Sequence, residues 1–336
     1  MPPPATDAPT LDVIAIGNAI VDVMAPASEA TIAGLGLAKG GMTLVDTARA
    51  AELYDAMGPA KEISGGSAAN TLAGLAALGA KCAFIGQVAD DQLGEVFAHD
   101  IRAGGIAFAT PPRADEPPTA RCLIFVTADG QRTMNTYLGA SQFLPATALD
   151  EGLIASAKVL YLEGYLWDPE EPRAAMRRAI GAARNAGREV AFTLSDAFVI
   201  SRHGDDFRKL IADGQIDILF ANADELAALT GEADFEAGLG ALAPKVTTLV
   251  VTRGEHGAVA LARGERAEVA AEPIAKVIDT TGAGDLFAAG FLSGHVRSAP
   301  LAECLKLGAI CAAEIIGHYG ARPEADLQAL VAGRLG

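Results

Sequence analysis

Residues 279–285, DTTGAGD, lead directly into the apolar run LFAAGFL at residues 286–292. With Val277 and Ile278 upstream, this order predicts an extended segment, a glycine turn and a helix of at least three turns. Two glycines within three residues let successive backbone N–H groups point the same way, at the positive end of the helix dipole. The stretch therefore predicts a phosphate-binding turn at the start of a helix.

Asp285 ends this turn and admits two interpretations. A carboxylate repels a phosphate, so its presence makes sense if it takes a proton from a hydroxyl that attacks the phosphate. Alternatively, Asp285 is an acid in the first turn that stabilises the helix, and the glycines only shape the turn. The local sequence leaves both interpretations open.

The composition is that of a globular protein with small-molecule partners. The chain has 336 residues, of which 51% are hydrophobic and 20% charged, enough for one large α/β domain with an appendage or for two domains. Acidic residues outnumber basic ones by 42 to 26, giving a net charge of −16. A nucleic-acid polymer would be repelled, so a phosphate-bearing partner must be small and met by a local positive site or a metal.

The cysteines and the N-terminal region predict a cytoplasmic protein. Cys82, Cys122, Cys304 and Cys311 lack the spacing of a zinc site and are expected to be reduced thiols. No apolar run is long enough to span a bilayer, and no signal peptide is evident, so no membrane partner is expected. Residues 1–10 are predicted to form a disordered tail.

Polar residues follow the first predicted strand. The apolar run at residues 11–17 ends in glycine, as expected for a central strand covered on both faces, and Asn18 and Asp22 come after it. Open α/β sheets bind ligands at this end of their strands. The alternative is that Asn18 is a turn residue and Asp22 a solvated acid.

A glycine pair opens the next helix of small residues. Gly65 and Gly66 would let a ligand approach backbone N–H groups, and the amide of Asn70, one turn later, can hydrogen-bond hydroxyls at both ends. Many α/β loops carry such a pair, so it gains weight only in combination with other motifs.

The alternation of strands and helices predicts a large α/β domain with a mostly parallel sheet, built from residues 11–22, 47–105 and 141–336. Residues 23–46 and 106–140, which include a hairpin, predict a small β lid over it. Further strands are predicted at residues 159–162, 189–194, 216–220 and 248–252, with a final hairpin at residues 257–261 and 266–270.

Three ordered motifs resemble the ribokinase-like, or phosphofructokinase-B, family of carbohydrate and nucleoside kinases. They are GGSAAN at residues 65–70 continuing to GQVADDQLG, NADE at residues 222–225, and DTTGAGDLFAAGFLSG at residues 279–294. Within the family the chain is most similar to adenosine kinases, through GNAIVD at 17–22, KGGMTLVD at 39–46, GQRTMNTYLGAS at 130–141, FTLSDAFVIS at 192–201 and IDILFANADELAAL at 216–229.

The resemblance implies a three-layer α/β core with a mostly parallel central sheet, a small β-sheet lid, and transfer of the ATP γ-phosphoryl group to a primary hydroxyl. Asp285 matches the catalytic base, and Gly282, Ala283 and Gly284 match the anion hole. Arg132 matches a lid arginine that reaches the phosphates, although it could also be an exposed hairpin residue.

The resemblance also implies a substrate subsite. Asn18, Asp22, Gly66 and Asn70, with the neighbouring Gly65, match positions that hold ribose hydroxyls. Phe198 is a candidate wall against the substrate base, and the alternative is that it is a core residue.

For the nucleotide, the resemblance implies Mg-ATP as the cofactor. Glu225 matches a residue that orders Mg²⁺ through water, and Asn222 is its partner, although Asn222 could simply cap a helix. A monovalent cation such as potassium is expected near residues 318–322. The implied nucleotide-binding residues are Asn222, Thr252, Arg253, Gly254 and Thr281.

Three functional hypotheses follow. The first is phosphorylation of the 5'-hydroxyl of a ribonucleoside, with adenosine as the leading substrate. The second is a sugar kinase for ribose, fructose or 2-keto-3-deoxygluconate, and the third a non-catalytic nucleoside-binding protein on the same fold. Either a monomer or a homodimer is compatible with the sequence, because an exposed edge of the lid sheet can pair with another subunit.

Overall fold

The computed structural model describes residues 8–114 and 116–335. Most of the predicted N-terminal tail, residues 1–7, lies outside the described residues. The strands are β1 (Leu11–Ile16), β2 (Ile20–Pro26), β3 (Met42–Leu44), β4 (Lys61–Gly65), β5 (Cys82–Ile85), β6 (Ile106–Phe108), β7 (Ala120–Val126), β8 (Arg132–Tyr137), β9 (Ala157–Glu163), β10 (Glu189–Thr193), β11 (Ile218–Asn222), β12 (Thr248–Thr252), β13 (Ala258–Ala262) and β14 (Glu265–Val269).

The helices are distributed along the whole described chain. They are α1 (Glu29–Gly34), α2 (Thr47–Asp55), α3 (Ser67–Ala77), α4 (Gln92–Ala103), α5 (Glu151–Ala155), α6 (Glu170–Asn185), α7 (Ala197–Ala212), α8 (Ala223–Thr230), α9 (Phe235–Leu242), α10 (Ala283–His295), α11 (Leu301–Ile315) and α12 (Leu327–Leu335). Helix α10 directly follows the glycine turn and has 13 residues, as the sequence predicts. The preceding residues 277–278 form no strand.

Nine strands form the large sheet, in the order β14-β13-β12-β11-β10-β9-β1-β5-β6. Neighbours from β12 through β6 are parallel, and the hairpin β12-β13-β14 adds the antiparallel edge. The prediction of a mostly parallel sheet is confirmed. Parallel strands expose their carboxyl ends at one edge, which creates the place where a ligand site is expected.

The large sheet is covered on both faces, as its apolar strands require. On β1, Val13 and Ala15 pack into a core with α3, α10 and α11. Ile14 and Ile16 point to the opposite face and pack into a second core with α6 and α7. Alternating side chains of one strand thus supply two cores, and the result is the predicted helix–sheet–helix arrangement.

The smaller sheet has five strands in the order β3-β8-β7-β2-β4. The predicted hairpin is present as antiparallel β7 and β8. Three assignments differ from the predicted boundaries. Strand β4 pairs with β2 in the smaller sheet, β6 pairs with β5 in the large one, and residues 20–22, expected in the large domain, begin β2 of the smaller sheet. Strands β4 and β6 are short, and the choice of partner depends on distant residues that a local pattern does not reveal.

Only residues 17–19 separate β1 in the large sheet from β2 in the smaller one. The described residues include no helix with the length and apolar character needed to cross a membrane.

Candidate active site

A cavity of about 750 Å³ lies between the carboxyl edge of the large sheet and one face of the smaller sheet. Strand β9 reaches it through Glu163, and strands β2, β7 and β8 line it from the other side. The predicted site residues that line it are Asn18, Asp22, Gly66, Asn70, Phe198, Asn222, Glu225, Thr252, Thr281, Gly282, Ala283, Gly284 and Asp285.

The glycine turn sits at the N-terminus of α10. Gly282 has a φ of 79°, and a Cβ there would lie 2.8 Å from the Cβ of Ala321, so both backbone and space require glycine. Within the described residues, the backbone N–H groups of Gly284 and Asp285 have no hydrogen-bond acceptor, whereas Ala283 N donates to the carbonyl of Thr280. The turn offers free donors to an anion at the positive end of the helix.

The Asp285 carboxylate is held in place by the helix that follows the glycine pair. Ser67 Oγ donates to Asp285 Oδ1 at 2.6 Å, and Asn70 Nδ2 donates to Asp285 Oδ2 at 3.1 Å. Burial raises the pKa of Asp285 despite these bonds, which favour the charged form. An oriented carboxylate with a raised pKa is a suitable proton acceptor near neutral pH. The sequence analysis missed Ser67, although it lies inside the GGSAAN motif.

Glu163 is a second buried carboxylate that the sequence analysis missed. It is inaccessible to solvent and accepts hydrogen bonds from Asn18 N and Asn18 Nδ2, both at 2.7 Å, and from Ala68 N at 2.8 Å. Burial raises the pKa of Glu163 to about 7. Its position at the end of an apolar strand is the same signal that identified Asn18 and Asp22.

The two asparagines of the site differ in whether an amide atom is left without a hydrogen-bond partner. Asn18 Oδ1 accepts a hydrogen bond from Ser141 Oγ at 2.8 Å, so both ends of its amide are already bonded within the protein. Asn70 Oδ1 is buried and has no partner among the described residues. A buried acceptor without a partner is costly, so Asn70 is the asparagine that is ready to bind a ligand donor.

Asp22 faces the cavity with no hydrogen-bond donor among the described residues, and burial raises its pKa to about 6. The glycine pair makes room around it. A Cβ on Gly65 would lie 2.6 Å from Asp22 Oδ2, and a Cβ on Gly66, whose φ is 97°, would lie 2.2 Å from Asn18 O. Gly65 packs against Asp22 and is not among the described residues that line the cavity.

Arg132 forms a buried ion pair with Asp279, and the two side chains are only 6% and 8% exposed. Asp279 also accepts from Thr281 N, Thr281 Oγ1 and Gly320 N. The alternative of an exposed hairpin residue is therefore wrong for Arg132. The arginine lies beside the glycine turn, but it is bonded to Asp279 and is not among the described residues that line the cavity.

Glu225 and Asn222 form a reciprocal cap at the start of α8. Glu225 N donates to Asn222 Oδ1 at 2.8 Å, and Asn222 N and Nδ2 donate to the two carboxylate oxygens at 3.0 and 2.7 Å. The capping role of Asn222 is therefore present, and both residues also line the cavity. Burial, with the charges of Asp196 and Asp224, raises the pKa of Glu225 to about 7.

A second hollow of about 550 Å³ adjoins the cavity and shares Asn222 and Thr252 with it. Arg253 and Gly254 also line this hollow, so four of the five residues predicted to bind nucleotide lie together, and the fifth, Thr281, lines the larger cavity. The guanidinium of Arg253 lies 5.2 Å from the centre of the Phe235 ring. A long ligand could occupy both spaces at once.

Comparison with known proteins identifies the family. Residues 39–327 match the pfkB family of carbohydrate kinases. The chain belongs to this family. Its members are phosphotransferases with an alcohol group as acceptor, and this chain is a sugar or nucleoside kinase of that family.

Solved structures of pfkB kinases extend over almost the whole chain. An adenosine kinase from Sinorhizobium meliloti is 48% identical, with a TM-score of 0.88, over 97% of this chain and 99% of that one. A probable sugar kinase from Rhizobium etli CFN 42 is 45% identical, with a TM-score of 0.89 and the same coverage. The plant fructokinase-1 from Oryza sativa subsp. japonica is 30% identical over 77% of this chain and 84% of that protein.

Kinases of the pfkB family use ATP with Mg²⁺. The Glu225 carboxylate fits such an ion, because it lines the cavity, keeps lone pairs beyond its bonds to Asn222, and lies near the negative charges of Asp196 and Asp224. Mg²⁺ that is bound mainly by phosphates and water needs only one or two protein carboxylates.

Proposed function

We propose that this pfkB kinase transfers the γ-phosphoryl group of ATP to the 5'-hydroxyl of a ribonucleoside, with adenosine as the first candidate. The observation that carries the proposal is the wall that the smaller sheet contributes to the cavity. Apart from Asp22 and Thr136, its lining side chains are apolar or weakly polar, namely those of Ile20, Met42, Leu44, Cys122, Ile124 and Met134.

A nucleobase has two apolar faces that such a wall can cover. A free sugar carries hydroxyls on all sides, and those that met this wall would lose water without gaining a partner. The 48% identity to an adenosine kinase also supports the nucleoside. The probable sugar kinase at 45% identity and the fructokinases at about 30% support a sugar kinase as the second candidate.

The ribose fits the polar side of the cavity. The unpaired Asp22 carboxylate can accept hydrogen bonds from both vicinal hydroxyls, and Asn70 Oδ1 offers one more acceptor. Asp285, held by Ser67 and Asn70, would then accept the proton of the primary hydroxyl as that oxygen attacks phosphorus.

Charge on the transferring group would be met by the free N–H groups of Gly284 and Asp285. By analogy with oxyanion donors, each such hydrogen bond is worth about 3 kcal/mol in the transition state. Arg132 would contribute on leaving Asp279. Glu225 and Asn222 would hold Mg²⁺ through water, and the metal would neutralise phosphate charge. The monovalent cation near residues 318–322 and the choice between monomer and homodimer stay predictions.

The test is ATP consumption by purified protein with a panel of adenosine, inosine, ribose, fructose and 2-keto-3-deoxygluconate. We expect turnover with adenosine, and turnover about 10³-fold slower with Asp285→Asn under the same conditions. Turnover with a free sugar but not with a nucleoside would establish the second candidate instead. A lack of turnover with every acceptor would contradict the kinase assignment.

A further inference from the structure

Phe198 has an unusual position for a large apolar side chain. It lies in the first turn of α7, lines the cavity, and is 66% exposed. An aromatic ring left open at the wall of a cavity is a contact surface for a ligand. The alternative that Phe198 is a core residue is therefore wrong.

One face of this ring is already covered. The guanidinium carbon of Arg202, one helical turn later, lies 3.9 Å from the centre of the Phe198 ring. A guanidinium placed over an aromatic ring combines dispersion with cation–π attraction, and arginine is the residue that most often makes this contact. Arg202 is not among the described residues that line the cavity, although its partner Asp168 is. Because Phe198 stays 66% exposed with the guanidinium over one face, the rest of the ring is open to a ligand.

Arg202 is itself fixed by a carboxylate from another part of the chain. Its Nε donates to Asp168 Oδ1 at 2.8 Å, and a second guanidinium nitrogen donates to Asp168 Oδ2. His203 Nε2 lies 2.7 Å from Asp168 Oδ1. A two-point arginine–carboxylate pair fixes the plane of the guanidinium, and thereby the plane of the ring that stacks on it.

The backbone before Phe198 is also constrained. Asp196 caps α7 and accepts a hydrogen bond from Phe198 N at 2.6 Å. Ser195, which precedes the cap, has a φ of 69°, a conformation that costs a non-glycine residue about 1 kcal/mol or more. Strain of this kind persists where the surrounding structure requires it, and here it lies at the cavity wall.

We infer that Arg202 is a positioning residue which, anchored by Asp168, holds Phe198 as a rigid stacking surface for the flat aromatic ring of the acceptor substrate. The inference rests on the proposed function and concerns how Phe198, the candidate wall against the base, is held in place. An unsupported phenylalanine would lose rotamer freedom on binding, whereas the Arg202 stack removes that freedom beforehand. The contribution therefore concerns nucleoside affinity and leaves the phosphoryl-transfer step unchanged.

The first test is Arg202→Ala, with steady-state kinetics for adenosine and for ATP. We expect the KM for adenosine to rise about five- to tenfold, as the loss of a stacking partner implies. The kcat and the KM for ATP should stay within about twofold, because the described partners of Arg202 are Asp168 and Phe198, away from the glycine turn and Asp285. Asp168→Asn should act in the same direction with a smaller effect. Lys209→Ala, which removes an exposed ion pair from the same helix, is the matched control.

A double-mutant cycle separates positioning from general damage. In a Phe198→Leu background, Arg202→Ala should have no further effect on the KM for adenosine, since the arginine acts only through the ring. An unchanged KM in the single variant, or an equal rise in both backgrounds, overturns the inference. If Arg202→Ala unfolds, Arg202→Lys serves in its place, because it keeps the charge and loses the planar stack.

Calorimetry of adenosine binding to the wild-type protein separates a failure of the proposed function from a failure of the inference about Arg202. If the wild type neither binds nor phosphorylates a nucleoside, the proposed function fails and the inference fails with it. If the wild type does both and Arg202→Ala is indistinguishable from it, only the inference fails.

Discussion

On the large-sheet side of the cavity the polar groups are bonded to one another, whereas on the smaller-sheet side an unpaired Asp22 stands among apolar side chains. Glu163 accepts three hydrogen bonds, and Asp285 accepts two. Asp22 accepts none from the described residues, and Leu44, on the edge strand β3 of the same sheet, is 57% exposed. The comparison indicates that the groups proposed for chemistry are preorganised, while the groups proposed for recognition complete their contacts only when a ligand arrives.

The largest effect is expected from the preorganised side. Asp285→Asn keeps the shape of the side chain but removes the proton acceptor, so kcat should fall by about 10³ with little change in adenosine binding. Steady-state kinetics and calorimetry measure the two quantities. A variant with wild-type kcat would exclude Asp285 as the base.

On the recognition side, Asp22→Asn should mainly raise the KM for the nucleoside, by about 30- to 100-fold, because two hydroxyl bonds to a charged acceptor are weakened. Asp129→Asn, an exposed acid on the turn between β7 and β8, is the control. If the variant had a lower kcat and an unchanged KM, Asp22 would belong with the groups that act in phosphoryl transfer and not with those that recognise the substrate.

The pH dependence sharpens the same point. Burial raises the pKa of Asp22 to about 6, and the carboxylate must be ionised to accept both hydroxyls. The kcat/KM for the nucleoside should therefore fall as the pH drops below about 6. In Asp22→Asn, which has no carboxylate to protonate at this position, this decrease should be absent. A wild-type profile that stays flat to pH 5 would contradict the role of Asp22.

Glu163→Gln tests whether the hydrogen bonds of the large-sheet side are needed for the fold as well. An amide offers one acceptor oxygen where the carboxylate offers two, so a buried donor loses its partner. The free energy of unfolding should therefore decrease by about 2 kcal/mol. Burial raises the pKa of Glu163 to about 7, so its ionisation lowers wild-type stability as the pH rises through 7.

Thermal unfolding of Glu163→Gln at pH 5 and pH 8 measures both effects. The variant should show a weaker loss of stability between these two values than the wild type. Glu151→Gln, an exposed partner of Arg178, controls for the loss of a surface charge. Equal pH slopes in the variant and the wild type would contradict the contribution of Glu163.

The smallest effect is expected on the apolar wall. Leu44→Ser removes one exposed side chain from an edge strand, so the KM for adenosine should rise about threefold while the free energy of unfolding changes by less than about 0.5 kcal/mol. Leu335→Ser, exposed at the end of α12, is the control. A larger effect on a free sugar than on adenosine would favour the second candidate function.

Much of the fold could be predicted from local patterns. The apolar strand at residues 11–17 and the regular alternation after residue 141 indicate a covered parallel sheet, and the helix after Gly282 follows from its turn and its apolar run. The sheet that β4 joins could not be predicted, because its pairing with β2 is chosen between strands some forty residues apart.

For the site, sequence motifs identified side chains but not their partners. Ser67 and Asp285 are 218 positions apart, and Arg132 and Asp279 are 147 apart. Hydrogen bonds over such separations leave no periodic signal in a single sequence. The roles of the predicted residues in binding and catalysis stay predictions until the variants are measured.

The short connection between the two sheets has a mechanical consequence. Residues 17–19 are the link between β1 and β2, and Glu163 fixes Asn18 within it. Any rotation of the smaller sheet about this link therefore has its axis inside the cavity. At about 3.3 Å per residue, a 10° rotation moves Asp22 by about 2 Å and Pro26 by about 5 Å. Large displacements at the rim would accompany small ones at Asp22, so the outer wall could open widely while the carboxylate proposed to bind the diol stays close to its position.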